Sequence, residues 1–453
     1  MNLAKLSPQE AWQPYQPDAS QPWTAEKAAH LLRRAGFGAT QSQIAAAEKQ
    51  GPQQAVDSLL TGGHGSQFDA EMASLGQTIL GNGNPRRLPA WWLFRMIHSP
   101  DQLTEKMTLF WHGHFATSAD KVDNAKIMLD QNRALRELSL GKFESMVQFI
   151  SRDPAMLIYL DSTDNRKTHP NENYARELLE LFCLGLDNYT EKDIQQIARC
   201  FTGWQVRNGK FRFNKYQHDF GQKSFFGKTG EFDGDDAVKI VLEQPAAARF
   251  IATKLFTFFV ADEPAPSTEI IDPLAAELRA SNYSIDKTVR TILTSRIFFS
   301  SLSIGRKIRS PLELSVGLLR SFGATTNLYE LAERLAALGQ LPFYPPNVKG
   351  WEGGRHWINS STLIGRANAV RWMLTNEKTK WPHGNLADWV QERNADRPEK
   401  VVSELLGFLM AKSPPKEASN KLVAFAKQNG VESHEQIADL IQAISLLPEF
   451  QLG

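Results

Sequence analysis

The chain of 453 residues is 42% hydrophobic, which is enough apolar material for a substantial core. Its 51 Lys and Arg residues nearly balance its 50 Asp and Glu residues, and the net charge of +1 gives no global field that would attract nucleic acid or an anionic membrane. We therefore predict no nucleic-acid partner. No stretch approaches the roughly 20 consecutive apolar residues of a membrane-spanning helix, so no transmembrane segment is predicted.

The N-terminal sequence and the cysteine content bear on the compartment. Residues 1–22 lack the apolar region of a signal peptide, so the sequence as written predicts a cytoplasmic protein. An exported form whose leader had been removed would look the same. The two cysteines, Cys183 and Cys200, lie on predicted apolar helix faces, which excludes a disulfide framework and favours two reduced core thiols over a single bridge.

Helical periodicity recurs along most of the chain. Residues 1–22 contain several prolines and predict an extended tail, after which Thr24 and Gly36 are suitable residues to begin and end a first helix. The predicted helices are 25–35, 41–60, 89–98, 100–112, 124–140, 142–151, 154–160, 171–184, 191–202, 236–242, 245–260, 268–280, 284–296, 309–322, 327–338, 360–375, 385–393, 399–411, 416–428 and 434–446.

Two regions depart from this pattern. Residues 61–88 are rich in glycine and polar residues and predict a flexible loop, whereas WQVRNGKFRF alternates around Asn208-Gly209 and predicts a β-hairpin. A loop-rich region, 214–235, follows the hairpin. The predicted fold is mostly all-α, a multi-helical body with one small β-hairpin insertion and a long loop region.

Three units are predicted from these boundaries. Residues 1–22 form the tail, and residues 23–375 form the main helical domain, which carries the hairpin and loop insertion at about 204–235. Residues 376–453 form a C-terminal helical segment packed on the main body.

The helix predicted at 171–184 carries a polar stripe. At 100° per residue, Glu172, Arg176 and Glu177 fall with Asn173 and Glu180 on one arc of roughly 140°. An Arg beside a Glu keeps the carboxylate ionised, which suits a metal ligand or a general base. We predict Glu172, Arg176 and Glu177 as catalytic residues, with an ion network that braces neighbouring helices as the alternative.

Histidines supply the candidate metal ligands. In Trp111-His112-Gly113-His114, the glycine suggests a helix end at which both imidazoles turn toward one point, although histidines also cap helix C-termini. In the loop after the hairpin, His218 and Asp219 are candidate ligands, and Lys223 is a candidate catalytic cation. The alternative is that Asp219 caps a turn and His218 is exposed.

The aromatic loop that contains LPFYPPNVKGWEGGRHW is the candidate substrate loop. Two tryptophans flanked by glycines can form a stacking wall for a sugar or an aromatic ligand. We therefore predict substrate contacts from Lys349, Trp351, His356 and Trp357. The alternative is a lid whose aromatic side chains plug the core.

Several stretches in order resemble one bacterial family, the domain of unknown function 1800. They include HLLRRAGFGAT (30–40), FWHGHFATS (110–118), NENYARELLELFCLG (171–185), YTEKDIQQIARCFTGW (189–204) and HDFGQKSFFG (218–227). The resemblance covers roughly 23–453 and implies a bacterial source. Many family members have leader sequences, and many are encoded beside a phosphatase-like family, which implies a possible partner. This chain departs from the pattern because it lacks a leader and has Cys183 where threonine is frequent.

These residues favour a metal-dependent enzyme with one polar cleft. Hydrolysis is the first reaction class that we predict, and a metal-dependent oxidation is the second. The predicted ligands of a divalent Zn, Fe, Mn or Ni ion are His112, His114, Glu172 or Glu177, and His218 or Asp219. Arg176 and Lys223 would stabilise negative charge on a small-molecule or polymer substrate. The alternatives are a non-catalytic helical scaffold or secretion partner and, with less support, a carbohydrate-binding protein.

Overall fold

Helices dominate the structure, as the periodicity predicts. The computed structural model describes residues 7–63, 65–382 and 384–453, and it is 61% helical. The first twelve α-helices are α1 (Pro8–Trp12), α2 (Ala25–Ala35), α3 (Gln41–Gln50), α4 (Pro52–Thr61), α5 (Ser66–Gly81), α6 (Leu88–His98), α7 (Gln102–His114), α8 (Ala119–Val122), α9 (Ala125–Glu137), α10 (Phe143–Arg152), α11 (Pro154–Tyr159) and α12 (Asn173–Glu177).

A π-helical segment, Leu178–Cys183, continues α12. The remaining helices are α13 (Glu191–Cys200), α14 (Gly234–Leu242), α15 (Pro245–Phe259), α16 (Thr268–Ala280), α17 (Ile285–Thr294), α18 (Pro311–Ser321), α19 (Leu328–Ala337), α20 (Ser360–Thr375), α21 (Leu386–Gln391), α22 (Pro398–Leu409), α23 (Lys416–Asn429) and α24 (His434–Ser445). Short 3₁₀ turns lie at Pro85–Arg87, Ser162–Asp164, Gly354–Trp357 and Pro448–Gln451.

Two antiparallel hairpins interrupt the helices. Strand β1 (Trp204–Arg207) pairs with β2 (Lys210–Phe213), and β3 (Lys223–Phe225) pairs with β4 (Lys228–Gly230). The first hairpin is the predicted one. Its turn residues Asn208 and Gly209 both have positive φ, 53° and 70°, which is the geometry of a type I′ turn.

Three local predictions need correction. The tail contains a helix, α1, because Ser7 and Glu10 form a capping box at its start; residues 1–6 lie outside the described residues. The segment 61–88 contains helix α5, whose Phe68, Met72 and Ile79 recur at helical spacing and pack into the core. The region 214–235 contains the second hairpin.

The apolar side chains of the described residues form two core clusters, and α7 contributes to both. Trp111 and Phe115 lie in the cluster built with α10 to α17, while Leu109 lies in the cluster built with α6, α9 and α18 to α24. Cys183 and Cys200 are buried free thiols in the first cluster, as predicted. The predicted boundary at residue 375 stays a prediction.

A buried ionic network fixes the position of α7. The carboxylate of Glu105 accepts hydrogen bonds from Arg95 Nε (2.8 Å) on α6 and from Arg136 Nε (2.7 Å) on α9, and it also accepts one from Trp92 Nε1 (3.0 Å). Although burial raises the pKa of Glu105, the two guanidinium groups outweigh it and leave the pKa below its ordinary value. Because the network joins three helices, it orients the histidines about two and two and a half turns farther along α7.

Among the residues that the structure describes, no helix combines the length and the apolarity that crossing a bilayer requires.

Candidate functional site

His112 lies inside the second core cluster. Its side chain is 1% exposed, and its ring contacts the rings of Trp92, Phe343 and Trp351 at centroid distances of 5.2, 5.7 and 5.7 Å. The backbone N–H of Phe343 donates to Nε2 over 3.0 Å, so the ring proton sits on Nδ1. Burial lowers the pKa of His112 to about 3, which keeps the imidazole neutral.

His114 faces the first core cluster. Its Nε2–H donates to the carbonyl of Phe182 over 2.9 Å, and its ring lies among phenylalanine and tryptophan rings. Burial, with a smaller effect of the Lys254 charge, lowers its pKa to about 3. The acceptor, Phe182 O, belongs to the last turn of the π-helical segment, so His114 caps the C-terminal end of a helix other than its own.

The two imidazoles therefore point in different directions. We predicted that Gly113 ends the helix and lets both rings turn toward one point, but α7 continues to His114. Residues two apart on an α-helix diverge by about 200°, and the two rings accordingly occupy different core clusters. The structure does not bring His112 and His114 together.

Gly113 instead packs against the backbone of the aromatic loop. A Cβ atom placed on Gly350 would lie 2.1 Å from the Gly113 carbonyl oxygen, and one placed on Gly113 would lie 3.8 Å from the ring of Trp351. The two glycines thus allow the loop backbone to rest directly on α7. Trp351 covers His112, and its indole Nε1 is buried without an acceptor among the described residues.

The outer residues of the aromatic loop have separate surroundings. Trp357 is buried, with 8% of its side chain exposed, whereas His356 is exposed and pairs with Glu352 over 2.8 Å. Lys349 is exposed and lies close enough to Glu177 on α12 for its charge to act on that carboxyl. Of the predicted substrate-loop residues, Lys349 and Trp351 are therefore the two that approach other predicted site residues.

The polar stripe begins on α12 but does not continue as a regular α-helix. The N–H of Leu184 bonds to the carbonyl of Leu179 over 2.9 Å, an i to i−5 pattern. This widened turn changes the angular spacing after Leu178, so the direction of Glu180 cannot be read from a period of 3.6. π-Helical turns recur at functional sites, and this one lies directly after Glu177.

Glu172 and Arg176 belong to an ion-pair network at the surface. Arg176 donates to Glu191 of α13 through two bonds of 2.8 Å and to Glu172 over 3.2 Å. The hydrogen bonds to Glu191 are the main cause of a raised Arg176 pKa, and the same bonds lower the pKa of Glu191. This arrangement joins α12 to α13, which is the bracing role that the sequence left open.

Glu177 and Glu172 are both half-buried, but Glu177 accepts no hydrogen bond within the described part of the chain, whereas Glu172 accepts one from Arg176. Burial raises its pKa, and the nearby Glu180 carboxylate raises it further. The charges of Lys349 and Arg176 act in the opposite direction and partly offset the increase. Glu180 itself accepts a hydrogen bond from Tyr189 Oη over 3.2 Å.

His218, Asp219 and Lys223 form a second group of polar residues near the C-terminal end of α13. His218 is buried, and its Nδ1–H donates to the Thr202 carbonyl over 2.8 Å, which leaves the lone pair on Nε2. Arg199 Nε donates to Asp219 over 2.7 Å and holds the pKa of that carboxyl below its ordinary value. Lys223 is buried and donates to the Asp219 carbonyl.

Burial lowers the pKa of Lys223, but its ammonium group donates to the backbone carbonyl of Asp219.

The loop that carries His218 is also joined to the loop before α12. Lys167 N donates to Gln217 O over 2.8 Å, and the buried Asn165 donates to Ala198 O and accepts from Asn171 N. The two polar groups are therefore connected through backbone, although their side chains point to separate surroundings.

Within the described residues, no group of three or more His, Cys, Asp or Glu side chains is arranged to hold a metal ion. His112 and His114 use Nε2 in hydrogen bonds, Glu172 pairs with Arg176, and Asp219 pairs with Arg199. His218 keeps the Nε2 lone pair that ligation needs.

Sequence reasoning missed some residues of these groups. Arg199 donates to Asp219, and the carbonyl of Thr202 accepts from His218. Both residues lie in the stretch ARCFTGW, whose apolar periodicity predicts core residues and not site residues. Asn165 was missed because a single asparagine in a polar loop gives no signal of burial. Glu180 belonged to the stripe but was not selected.

The fold and the site together define a mostly all-α protein with a half-buried acidic residue beside an aromatic loop. The family described as "Protein of unknown function (DUF1800)" matches residues 30–452, and the chain belongs to this family. No curated protein and no solved structure matches the chain.

Proposed function

We propose that the protein is an enzyme, most simply a hydrolase, in which Glu177 transfers the proton. The observation that supports this proposal is the environment of Glu177, a half-buried carboxyl whose pKa is raised by burial and by Glu180. A general acid or base works best when its pKa approaches the working pH. A raised carboxyl pKa beside a second carboxylate is a recurring arrangement for acid–base chemistry.

Lys349 supplies the complementary charge. Its charge acts on the Glu177 carboxyl from the aromatic loop, and a cation near this carboxyl would stabilise negative charge that develops on a substrate oxygen. The unpartnered indole N–H of Trp351 is a further donor on the same loop. In this proposal Glu172 and Arg176 hold α12 in place and take no part in proton transfer.

The proposal is tested with chromogenic esters, phosphate esters and glycosides, each releasing p-nitrophenol. We expect turnover of at least one of these probes, and a loss of about 100-fold or more in kcat for Glu177→Gln. Glu172→Gln is the matched control, because it removes one carboxylate from the same helix, and it should retain activity within a few-fold. Equal losses in both variants, or no turnover of any probe, would count against the proposal.

Metal dependence is a separate part of the proposal, and His218 is its best-placed ligand. Protein produced with added Zn, Fe, Mn and Ni should then retain one of these metals through purification, and His218→Ala should release it. His112→Ala is the control, because its imidazole already accepts a hydrogen bond from Phe343 N–H. Metal that stays in His218→Ala would remove His218 from the ligand set.

The second candidate is a non-catalytic scaffold, which the Arg176 network favours because the ion pair with Glu191 joins α12 to α13. If the polar stripe is only a brace, Glu177→Gln should leave every measured activity unchanged and should stabilise the fold by removing a carboxyl that is ionised in an unfavourable place. The carbohydrate-binding alternative gains no support from Trp357, because that side chain is buried.

A further inference from the structure

Positive charge is concentrated in one short segment of a chain whose net charge is only +1. Between residues 199 and 223, a single acid, Asp219, stands among several cations. These cations are Arg199, Arg207, Lys210, Arg212, Lys215 and Lys223. Because Arg199 neutralises Asp219 and Lys223 is buried, the remaining four cations carry the unbalanced charge of this segment.

The strand register places three of these cations on one face of the first hairpin. Arg207 pairs with Lys210, and Arg212 pairs with Gln205, so their side chains share a face. The pairs Trp204 with Phe213 and Val206 with Phe211 occupy the opposite face, on which Trp204 and Phe211 pack toward the core.

The four cations lack an acidic partner among the described residues, and the Lys215 ammonium lies over the Tyr216 ring, 5.3 Å from its centroid. Arg207, Lys210, Arg212 and Lys215 are all exposed, and none forms an ion pair within residues 7–63, 65–382 and 384–453. Like charges directly opposite each other, as in Arg207 and Lys210, destabilise a hairpin. An unbalanced set of this kind is therefore better explained by an external anion than by stability.

Exposed aromatic side chains adjoin these cations. Tyr216 is 74% exposed, Phe220 61% and Phe213 45%, and they alternate along the chain with Arg212 and Lys215. The phenylalanine rings flank His218, at centroid distances of 5.2 and 4.7 Å. Several large apolar side chains exposed within eight residues are a feature of interaction sites.

We propose that this basic hairpin surface (Arg207, Lys210, Arg212 and Lys215 with Tyr216 and Phe220) binds the anionic surface of a phospholipid membrane. Lys and Arg residues are attracted to anionic headgroups, while aromatic side chains enter the boundary between headgroups and acyl chains. The protein would lie on the membrane and not cross it. This inference does not depend on the role of Glu177.

The placement of the cations favours lipid over single-stranded nucleic acid. Base stacking needs aromatic faces that successive bases can cover, along a basic groove that follows the backbone. Here Arg207, Lys210 and Arg212 lie on one face of a two-stranded hairpin, and Phe213 belongs to the opposite face. A lipid interface requires no groove.

The test measures co-sedimentation of the full chain with vesicles of phosphatidylcholine, with and without phosphatidylglycerol. We expect binding only to the anionic vesicles, weakening as salt rises because the attraction is screened. The variant Arg207→Gln/Lys210→Gln/Arg212→Gln should bind roughly 100-fold more weakly. The variant Tyr216→Ser/Phe220→Ser should also bind more weakly, but with the salt dependence retained.

A matched control removes the same charge elsewhere. Lys49, Lys287 and Lys416 are exposed and form no ion pair within the described chain, so Lys49→Gln/Lys287→Gln/Lys416→Gln should bind as the unaltered protein does. Unchanged thermal unfolding of all variants verifies folding. Absence of binding at low salt, equal loss in the control, or tighter binding to single-stranded DNA than to anionic vesicles would overturn the proposal.

Discussion

The end of α7 and the start of α12 both carry titratable residues that the sequence nominates for one site, but they differ in what surrounds those residues. The imidazoles of His112 and His114 are buried in separate apolar clusters and are neutral. The carboxyls of α12 are half-exposed and lie among other charges. The comparison shows that residue type and spacing indicate polarity, while the direction of each side chain decides between a structural and a chemical role.

The packing of the aromatic loop on α7 gives the largest expected effect on stability. Gly350→Ala should destabilise the protein by about 4 kcal/mol or more, because the new Cβ collides with the Gly113 carbonyl and the backbone φ is +76°. Gly353→Ala is the control, since its φ of +77° imposes strain but no atom lies within 4 Å. It should cost about 1–3 kcal/mol. Urea unfolding measures both, and equal costs would show that the loop does not rest on α7.

The buried imidazoles make stability depend on pH. Between about pH 6.5 and 3 the unfolded chain binds protons at these histidines and the folded chain does not, so stability falls as the pH falls through that window. Each imidazole contributes about 1.4 kcal/mol per pH unit. His114→Gln should therefore show a shallower loss of stability between pH 6 and about 4, in urea unfolding at several pH values. An unchanged slope would mean that His114 is already protonated in the folded protein.

Asn165 joins the loop before α12 to α13, and its removal tests how firmly the acidic region is held. Asn165→Ala removes one of two hydrogen bonds to Ala198 O, which keeps the bond from Phe201 N–H, and leaves the half-buried Asn171 N–H without its acceptor, which should cost about 1–2 kcal/mol. Asn188→Ala is the comparison, because its amide also donates to backbone carbonyls but is exposed. That change should cost less than about 0.5 kcal/mol, measured by thermal unfolding.

Loss of the ion pairs of Arg176 at the surface should have the smallest effect on stability. Arg176→Ala should reduce stability by no more than about 1 kcal/mol, because its ion pairs with Glu172 and Glu191 are exposed and screened by salt. The difference from the unaltered protein should shrink as salt is added. A salt-independent loss of several kcal/mol would indicate that the network is as important to the fold as the buried groups on α7.

Local signals predicted most of the helices and the first hairpin. Thr190 and Asp193 form a capping box at the start of α13, and Asn208-Gly209 forms the predicted turn. Helix α5 was missed because its flanking glycines outweighed a spacing of apolar residues that does indicate a helix. The second hairpin was missed because its strands are only three residues long.

The candidate site was less predictable for physical reasons. Helical spacing alone separates His112 from His114, but the continuation of the helix through Gly113 depends on packing of the loop at Gly350. The π-helical turn after Glu177 ends at a tertiary contact, the bond from His114 to Phe182, which no local pattern encodes. The proximity of Lys349 to Glu177 joins residues far apart in the sequence.

The most direct test of the central claim is the titration of Glu177 by ¹³C NMR of glutamate-labelled protein, with its carboxyl signal assigned from Glu177→Gln. The account predicts a pKa above the ordinary glutamate value, and a further increase in Lys349→Gln because the Lys349 charge lowers it. An ordinary pKa that does not respond to Lys349→Gln would contradict the proposed acid–base site.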